Sequence, residues 1–164
     1  MTALRTLSLL AATLSTGLGA GVFALYAHTI MPGLGATDDR TFVAAFQSMD
    51  RAILNTWFIG GSFLGALVFG VLASALSIGR PELAWTAAAV VLWGIAVVIT
   101  IVVNVPLNDA LKAAGPPDAI TDLAAVRAAF DEARWRMWNL VRVVLTTASF
   151  GLLAWALVVH GRAS

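Results

Sequence analysis

The sequence predicts an all-α fold, an integral-membrane four-helix bundle with two amphipathic extramembrane helical connections on one face. Of the 164 residues, 60% are hydrophobic and only 12% are charged. In a typical soluble domain, roughly half of the residues are hydrophobic and roughly a quarter are charged. Four segments each offer roughly 20 mostly apolar residues, the length that crosses a hydrocarbon core about 30 Å thick. The two long intervals between these segments are polar and contain helix-like apolar periodicity.

A single membrane domain is expected over residues 1–164, with spans at about 6–30, 57–79, 83–104 and 138–160. The first span resembles a cleaved signal peptide because Arg5 precedes it, but its apolar character continues through residues 22–26, which predicts a retained helix. Only residues 79–82 separate the second and third spans, so these form a tight hairpin. The remaining segments, 31–56 and 105–137, then lie on one side of the bilayer, which we call the lid side.

Both lid segments have features of folded structure. Over residues 38–56, apolar side chains recur every three or four positions, as in an amphipathic helix. The second lid segment follows the hexapeptide NVPLND, residues 104–109. Because Val105 precedes a proline, helical geometry is disfavoured there, and we expect the third span to end near Asn104. Asn104 would cap the last carbonyls of that span, and Pro106 would begin a new short helix.

The fourth span carries a polar and aromatic stripe. Trp135, Trp138, Asn139 and Arg142 occupy positions i, i+3, i+4 and i+7, which share one helix face. Facing lipid would leave their donors unsatisfied, so this face is expected to line a pocket inside the bundle. The alternative is that Arg142 simply extends to the membrane boundary, as long basic side chains near helix ends commonly do.

Four other polar residues are expected at the lid side. His28 lies near the end of the first span, Asn55 lies just before the second, and Asn108 and Asp109 follow Pro106. The helix directions bring all of them to the membrane face that holds the polar stripe. Interfacial placement of the histidine and turn-forming roles for the amides are the structural alternatives.

Several classes of protein are excluded. The chain has no cysteine, so disulfide exchange and thiolate metal sites are absent, and a net charge of +1 gives no nucleic-acid footprint. His28 and His160 lie at opposite membrane faces, which excludes a haem with two axial histidines. The spans contain no acidic residue of the kind that a proton-coupled exporter uses. No metal site and no cofactor are predicted.

Four motifs, in this order, resemble the anthrone oxygenase-like family of small four-span membrane proteins. They are HTIMPGL at 28–34, the segment 47–55, NVPLNDAL at 104–111, and WxxWNxxR at 135–142. Many bacterial members of that family are known only as a domain of unknown function. Its characterised fungal members oxidise polyketide anthrones to anthraquinones with molecular oxygen and carry no obvious cofactor motif. The resemblance therefore implies a cofactor-independent oxygenase that acts on a lipophilic phenolic polycycle.

Site residues follow from the matching motif positions and from the chemistry that such an oxidation requires. We expect His28 or Asp109 to act as the base, and Arg142, with Asn139 or Asn104, to stabilise the phenolate. The other expected substrate-binding residues are Asn55, Asn108, Trp135 and Trp138, the two tryptophans stacking on flat rings.

A non-catalytic role is the alternative hypothesis: a small accessory or lipophilic-ligand-binding membrane protein whose polar cluster caps helices and fastens the two lid segments. The predicted partners are the lipid bilayer and a hydrophobic aromatic small molecule. Gly17 and Gly21 have the small-xxx-small spacing that serves either packing within the bundle or a homo-oligomer. The predicted location is the bacterial plasma (inner) membrane, as a multi-pass protein.

Overall fold

The computed structural model describes residues 2–163 and consists of helices joined by short loops. We number each uninterrupted helical run. They are α1 (Thr2–Leu25, a π-helical turn Tyr26–Ile30, and Met31–Gly35), α2 (Asp39–Ile53), α3 (π-helical Trp57–Leu64, then Gly65–Leu76), α4 (Leu83–Ile99, a π-helical turn Thr100–Asn104, and Val105–Ala113), α5 (Leu123–Phe130) and α6 (Glu132–Arg162). A 3-10 turn, Pro117–Ala119, lies between α4 and α5.

Four of these runs are long and apolar enough to cross a membrane: α1, α3, α4 and α6. They form a closed ring, with α1 packed against α3, α3 against α4, α4 against α6, and α6 against α1. Because consecutive spans run in opposite directions, the lid-side ends of all four helices meet at one end of the bundle. The protein is therefore a multi-pass membrane four-helix bundle, and the predicted fold class is confirmed.

The helix that forms the third span does not end near Asn104, so the predicted end of this helix is wrong. The helix continues through Val105, which has helical angles of φ −61° and ψ −47°, into the segment Val105–Ala113. The amide of Val105 bonds to the carbonyl of Thr100, five residues back rather than four. This wider turn shifts the hydrogen-bond register just before Pro106, so the proline's missing N–H and its ring are accommodated without a break.

The same arrangement occurs in α1. There the amide of Met31 bonds to the carbonyl of Tyr26, again five residues back, and Pro32 follows at once. The helix consequently continues to Gly35 instead of ending near residue 30. Each of these two π-helical turns lies at the lid-side end of a span. Because of the wider turn, the helix continues past its proline instead of ending there.

The lid segments are folded against the bundle and share a hydrophobic core. Asp38 caps α2 by accepting hydrogen bonds from the hydroxyl of Thr41 at 2.7 Å and from its amide at 3.0 Å, and these bonds lower the pKa of the carboxyl. The amide of Gln47 donates to two carbonyls of the second lid segment, at 2.9 and 3.0 Å. The buried lid core consists of Met31, Phe42, Val43, Phe46, Leu111, Phe130 and Trp135.

At the opposite end of the bundle, buried polar and charged groups join α1, α6 and the hairpin between α3 and α4. Glu82, in the hairpin between α3 and α4, has a fully buried side chain. One of its oxygens, Oε1, lies 3.2 Å from Nε of Arg5 and 3.1 Å from Nδ1 of His160. The other imidazole nitrogen of His160 lies 2.9 Å from the hydroxyl of Thr6. These contacts connect the start of α1, the hairpin and the end of α6.

We expect Glu82→Ala to lower the free energy of unfolding by about 3–5 kcal/mol, because it leaves Arg5 buried without its carboxylate. Thermal and denaturant unfolding in detergent would measure the loss. The matched control is Asp118→Ala, which removes an exposed carboxylate paired with Arg40 and should cost less than about 1 kcal/mol. Equal losses in the two variants would show that the buried contact contributes no more than a surface ion pair.

Candidate functional site

A cavity of about 200 Å³ lies between the lid-side ends of the four spans and α2. Its residues come from α1, α2, α3, α4 and α6 and from the loop that precedes α3. They are Val22, Phe23, Tyr26, Phe46, Asp50, Ile53, Leu54, Phe58, Ile59, Phe63, Thr100, Ile101, Asn104, Val105, Asn108, Trp135, Asn139 and Arg142. The cavity is thus mainly apolar and aromatic, with a small number of polar groups, as is usual for small-molecule sites.

Arg142 is the charged group at the centre of the site, and only 4% of it is exposed. Its Nη1 donates to the hydroxyl of Thr100 at 3.0 Å, and its Nη2 donates to Oδ1 of Asn139 at 2.9 Å. The guanidinium carbon lies 4.6 Å from the ring centroid of Phe23 and 5.6 Å from that of Trp135. Within the described residues, Nε of Arg142 has no hydrogen-bond partner and no carboxylate pairs with the guanidinium.

The predicted stripe of α6 faces the bundle interior. Asn139 donates from Nδ2 to the carbonyl of Phe23 at 3.1 Å, which fixes its Oδ1 for Arg142. Deeper along α6, the hydroxyl of Thr146 donates to the carbonyl of Arg142 at 2.7 Å, and that of Ser149 donates across the bundle to a carbonyl of α4 at 2.8 Å. Asn139, Thr146 and Ser149 thus find their hydrogen-bond partners inside the protein rather than in lipid.

Asn104 is buried beside Arg142, but it does not cap its helix. Its Nδ2 donates to the carbonyl of Trp135 on α6 at 3.3 Å, and no side-chain cap bond forms. The predicted capping role is therefore wrong, because the helix continues past Asn104 and leaves no terminal carbonyls to cap. Its Oδ1 is buried and accepts no hydrogen bond from the part of the chain that the structure describes.

A chain of polar contacts leads from the cavity towards the lid-side surface. Nε1 of Trp135 donates to Oδ1 of Asn108 at 2.8 Å, and Nδ2 of Asn108 donates to Oδ1 of Asp50 at 2.7 Å. The second oxygen of Asp50 lies 2.9 Å from Nζ of Lys112, which also contacts Asp109 at 2.9 Å. Asp50 is thus a largely buried carboxylate at the cavity wall, connected to solvent through a partly exposed lysine.

Five of the residues predicted for the site line this cavity, and four do not. Those that line it are Asn104, Asn108, Trp135, Asn139 and Arg142. His28 is exposed, with Nδ1 at 2.6 Å from the Thr29 hydroxyl, and Asp109 is exposed beside Lys112. Asn55 accepts a hydrogen bond from the amide of Phe58 at the start of α3, and Trp138 is half-buried outside the cavity. The roles assigned to these four remain predictions.

Sequence reasoning missed Asp50, Tyr26 and Thr100 as members of the site. A signal for Asp50 was present, since it lies four residues after Phe46 and three before Ile53 and therefore shares the apolar face of α2. Tyr26 packs against the Trp135 ring at 5.9 Å between centroids. No pattern in the sequence indicates Thr100, whose role depends on the approach of α6.

We expect Trp135→Phe to lower stability by about 1–3 kcal/mol, because it preserves an aromatic ring but leaves the Asn108 oxygen without its donor. Melting in detergent would measure the change. Trp138→Phe provides the control, since Trp138 lies outside the cavity, and it should have a clearly smaller effect. Equal shifts would contradict a contribution from the indole hydrogen bond.

Comparison with known proteins agrees with the resemblance of the motifs. Searches of curated proteins and of solved structures each return no match. A sequence profile described as anthrone oxygenase matches residues 51–152. The matched segment is more than half of the chain and contains all of α3, α4 and α5, with most of α6, including the polar residues that line the cavity from α4 and α6. The chain therefore belongs to the anthrone oxygenase family.

Proposed function

We propose that this protein is an oxygenase that uses molecular oxygen to oxidise a lipophilic phenolic polycycle, without a resident metal or organic cofactor. The observation that carries the proposal is the buried guanidinium of Arg142, which has no carboxylate partner in the described chain and lies between aromatic rings. A buried charge without a counter-charge is costly. An ionised phenol bound in the cavity would supply the missing anion and would match the aromatic walls.

The chemistry of an anthrone makes such a reaction feasible without a cofactor. Loss of one proton from its CH₂ group gives an anion delocalised onto the ring oxygen. This electron-rich anion passes one electron to O₂, and the two radicals combine to form a C–O bond. After protonation, the hydroperoxide loses water, so that CH₂ and O₂ become C=O and H₂O. The protein has to hold the anion, accept the first proton and limit access of bulk water.

We assign the stabilisation of the oxyanion to Arg142, whose Nε is free to donate. Asn104 provides a complementary group, because its unpaired Oδ1 can accept a hydrogen bond from a second hydroxyl of the substrate. Phe23 and Trp135 would contact the ring system. A donor and an acceptor that line the same aromatic cavity suit a phenol that carries more than one oxygen.

We assign the base to Asp50. It is the carboxylate at the cavity wall, whereas the two bases predicted from sequence, His28 and Asp109, have exposed side chains outside it. A base has to reach the proton that it removes. Its contacts with Asn108 and Lys112 fix its orientation and offer a route for the proton to solvent.

We also propose the bacterial plasma membrane as the location, with the bilayer as the source of substrate. The support for this is the resemblance to bacterial members of the family. Fractionation of cells that produce the tagged protein would test it.

A second candidate function is non-catalytic binding of a lipophilic ligand. It is favoured by the contacts through which Asp50, Asn108 and Lys112 connect α2 to α4, since these contacts also fasten the lid segments. Under this alternative, variants of these residues lose stability, and there is no turnover to lose.

Purified protein in detergent, supplied with anthrone in air, is expected to consume one O₂ for each quinone formed. We expect Arg142→Ala to lower kcat/KM about 10²–10³-fold through the loss of an oxyanion donor, and Arg142→Lys to retain part of the rate. Oxygen uptake and quinone absorbance are the measurements. Quinone formation no faster than in protein-free detergent would refute the oxygenase proposal.

Asp50→Asn is expected to lower the turnover rate about 10²–10⁴-fold, because it replaces the carboxylate base with an amide of similar size that does not accept the proton. Asp118→Asn, at an exposed carboxylate outside the cavity, serves as the matched control and should keep the wild-type rate. A normal turnover rate in Asp50→Asn together with a loss of turnover in His28→Ala would show that His28, not Asp50, is the base.

A further inference from the structure

The cavity has a polar end and an apolar end. Three of the polar residues that line it, Asn104, Asn139 and Arg142, are buried in the interior, where α4 and α6 meet. At the other end lie Leu54, Ile101 and Val105, which line the cavity and yet are 63%, 61% and 39% exposed. Side chains that belong both to a cavity wall and to the outer surface mark its opening. We call these three residues the mouth.

The part of the mouth that Ile101 forms faces lipid, and Leu54 and Val105 lie towards the lid side. Ile101 lies about 27 Å along α4 from Leu83, within a hydrocarbon core about 30 Å thick. Its exposed neighbours on the same helix, Ile95, Val98 and Val102, are all apolar. A surface of this composition at this depth contacts acyl chains rather than water.

The packing of the helices leaves this opening. The backbones of α3 and α4 pack closely where α3 runs through Gly65–Leu76. Along the π-helical segment Trp57–Leu64 the two helices meet mainly through side chains, and Nε1 of Trp93 donates to the carbonyl of Phe63 at 3.1 Å. The part of α4 that lies opposite this segment is the π-helical turn Thr100–Asn104. Segments of π-helix inside α-helices are frequent at functional sites. Here two of them flank the same gap.

Access to the cavity from the water on the lid side, unlike access through the mouth, is blocked by packed aromatic side chains. On the lid side, Phe46 packs edge-on against the ring of Trp135 at 5.8 Å, and Tyr26 packs on the same ring. Behind them lies the lid core, in which Phe42 and Phe130 are fully buried. A flat ligand could enter through the lid only if this core separated, whereas the gap between α3 and α4 requires no such rearrangement.

On the basis of the proposed function, we infer that the ligand enters from the bilayer through the mouth and that it is a phenol or quinone whose hydrocarbon tail stays between α3 and α4. The enclosed volume of about 200 Å³ is little more than the 150 Å³ or so that accommodates benzene. The single ring that carries the phenol or quinone oxygen therefore fills the cavity. The rest of a larger molecule, whether a chain or further rings, has to extend through the mouth into lipid.

The test uses two stable probes, 1,4-naphthoquinone and 2-decyl-1,4-naphthoquinone, and measures binding rather than turnover. Titration of the full chain in phospholipid nanodiscs, with empty nanodiscs subtracted, gives dissociation constants expressed per mole fraction in the bilayer. Because the tail remains in lipid, we expect the two constants to agree within about threefold. Binding of the ring alone with exclusion of the decyl probe would overturn the inference, and so would the absence of binding by both.

The lack of cysteine allows the mouth to be blocked at one position. Ile101→Cys labelled with N-phenylmaleimide is expected to bind the decyl probe at least about tenfold more weakly than the cysteine-free wild-type protein. The matched control is Val102→Cys with the same label, since Val102 is adjacent and 65% exposed but does not line the cavity. Equal affinities of the two labelled variants would overturn the inference.

The two proposals fail in different ways. If the probes bind as expected but anthrone is not oxidised, the mouth and the tail site stand and the oxygenase reaction is refuted. If anthrone is oxidised at the same rate by the labelled Ile101→Cys and Val102→Cys proteins, the reaction stands and entry through the mouth is refuted.

Discussion

The burial of one guanidinium at the edge of the hydrocarbon core constrains the rest of the lid-side structure. Arg142 can remain there only because Thr100 and Asn139 accept hydrogen bonds from its Nη1 and Nη2 and two aromatic rings pack against its guanidinium. Each of these partners is itself held by another helix, since Asn139 depends on a carbonyl of α1 and Thr100 lies on α4. The position of this single charge thus couples three spans, and the cavity is the space that this arrangement leaves.

The lid segments exist in their observed form because two helices continue past prolines. A break at Pro106 would turn Asn108 and Lys112 away from α2, and Asp50 would lose both of its polar contacts. A break at Pro32 would turn Leu34, which follows it, away from the lid core against which it packs. In both cases the π-helical turn that accommodates the proline lies beside the cavity. The local geometry that solves a backbone problem therefore also determines the shape of the site.

The sequence was sufficient for the fold class and for part of the site. Long apolar runs and a four-residue polar and aromatic stripe are local patterns, and both α6 and the burial of Asn139 and Arg142 follow from them. The register shift before Pro106 is not a local pattern, because an amide that bonds five residues back rather than four leaves no mark on the composition. The exposure of His28 could have been anticipated, since helical spacing places it off the face that carries Phe23 and Tyr26. The burial of Glu82 could not, because it depends on the arrival of Arg5 and His160 from distant parts of the chain.

The cluster around Glu82 also bears on how the protein assembles in the membrane. The second and third spans can insert as a hairpin while Glu82 still has water around it, because it lies in the connecting turn. Its full burial requires the far end of α6, which follows the other three spans in the chain. Until that helix docks, Glu82 lacks its contact with His160, and we expect the carboxylate and Arg5 to stay hydrated. Closure of the bundle is therefore coupled to completion of the fourth span, so a partly made protein would differ from the finished one in the hydration of this turn.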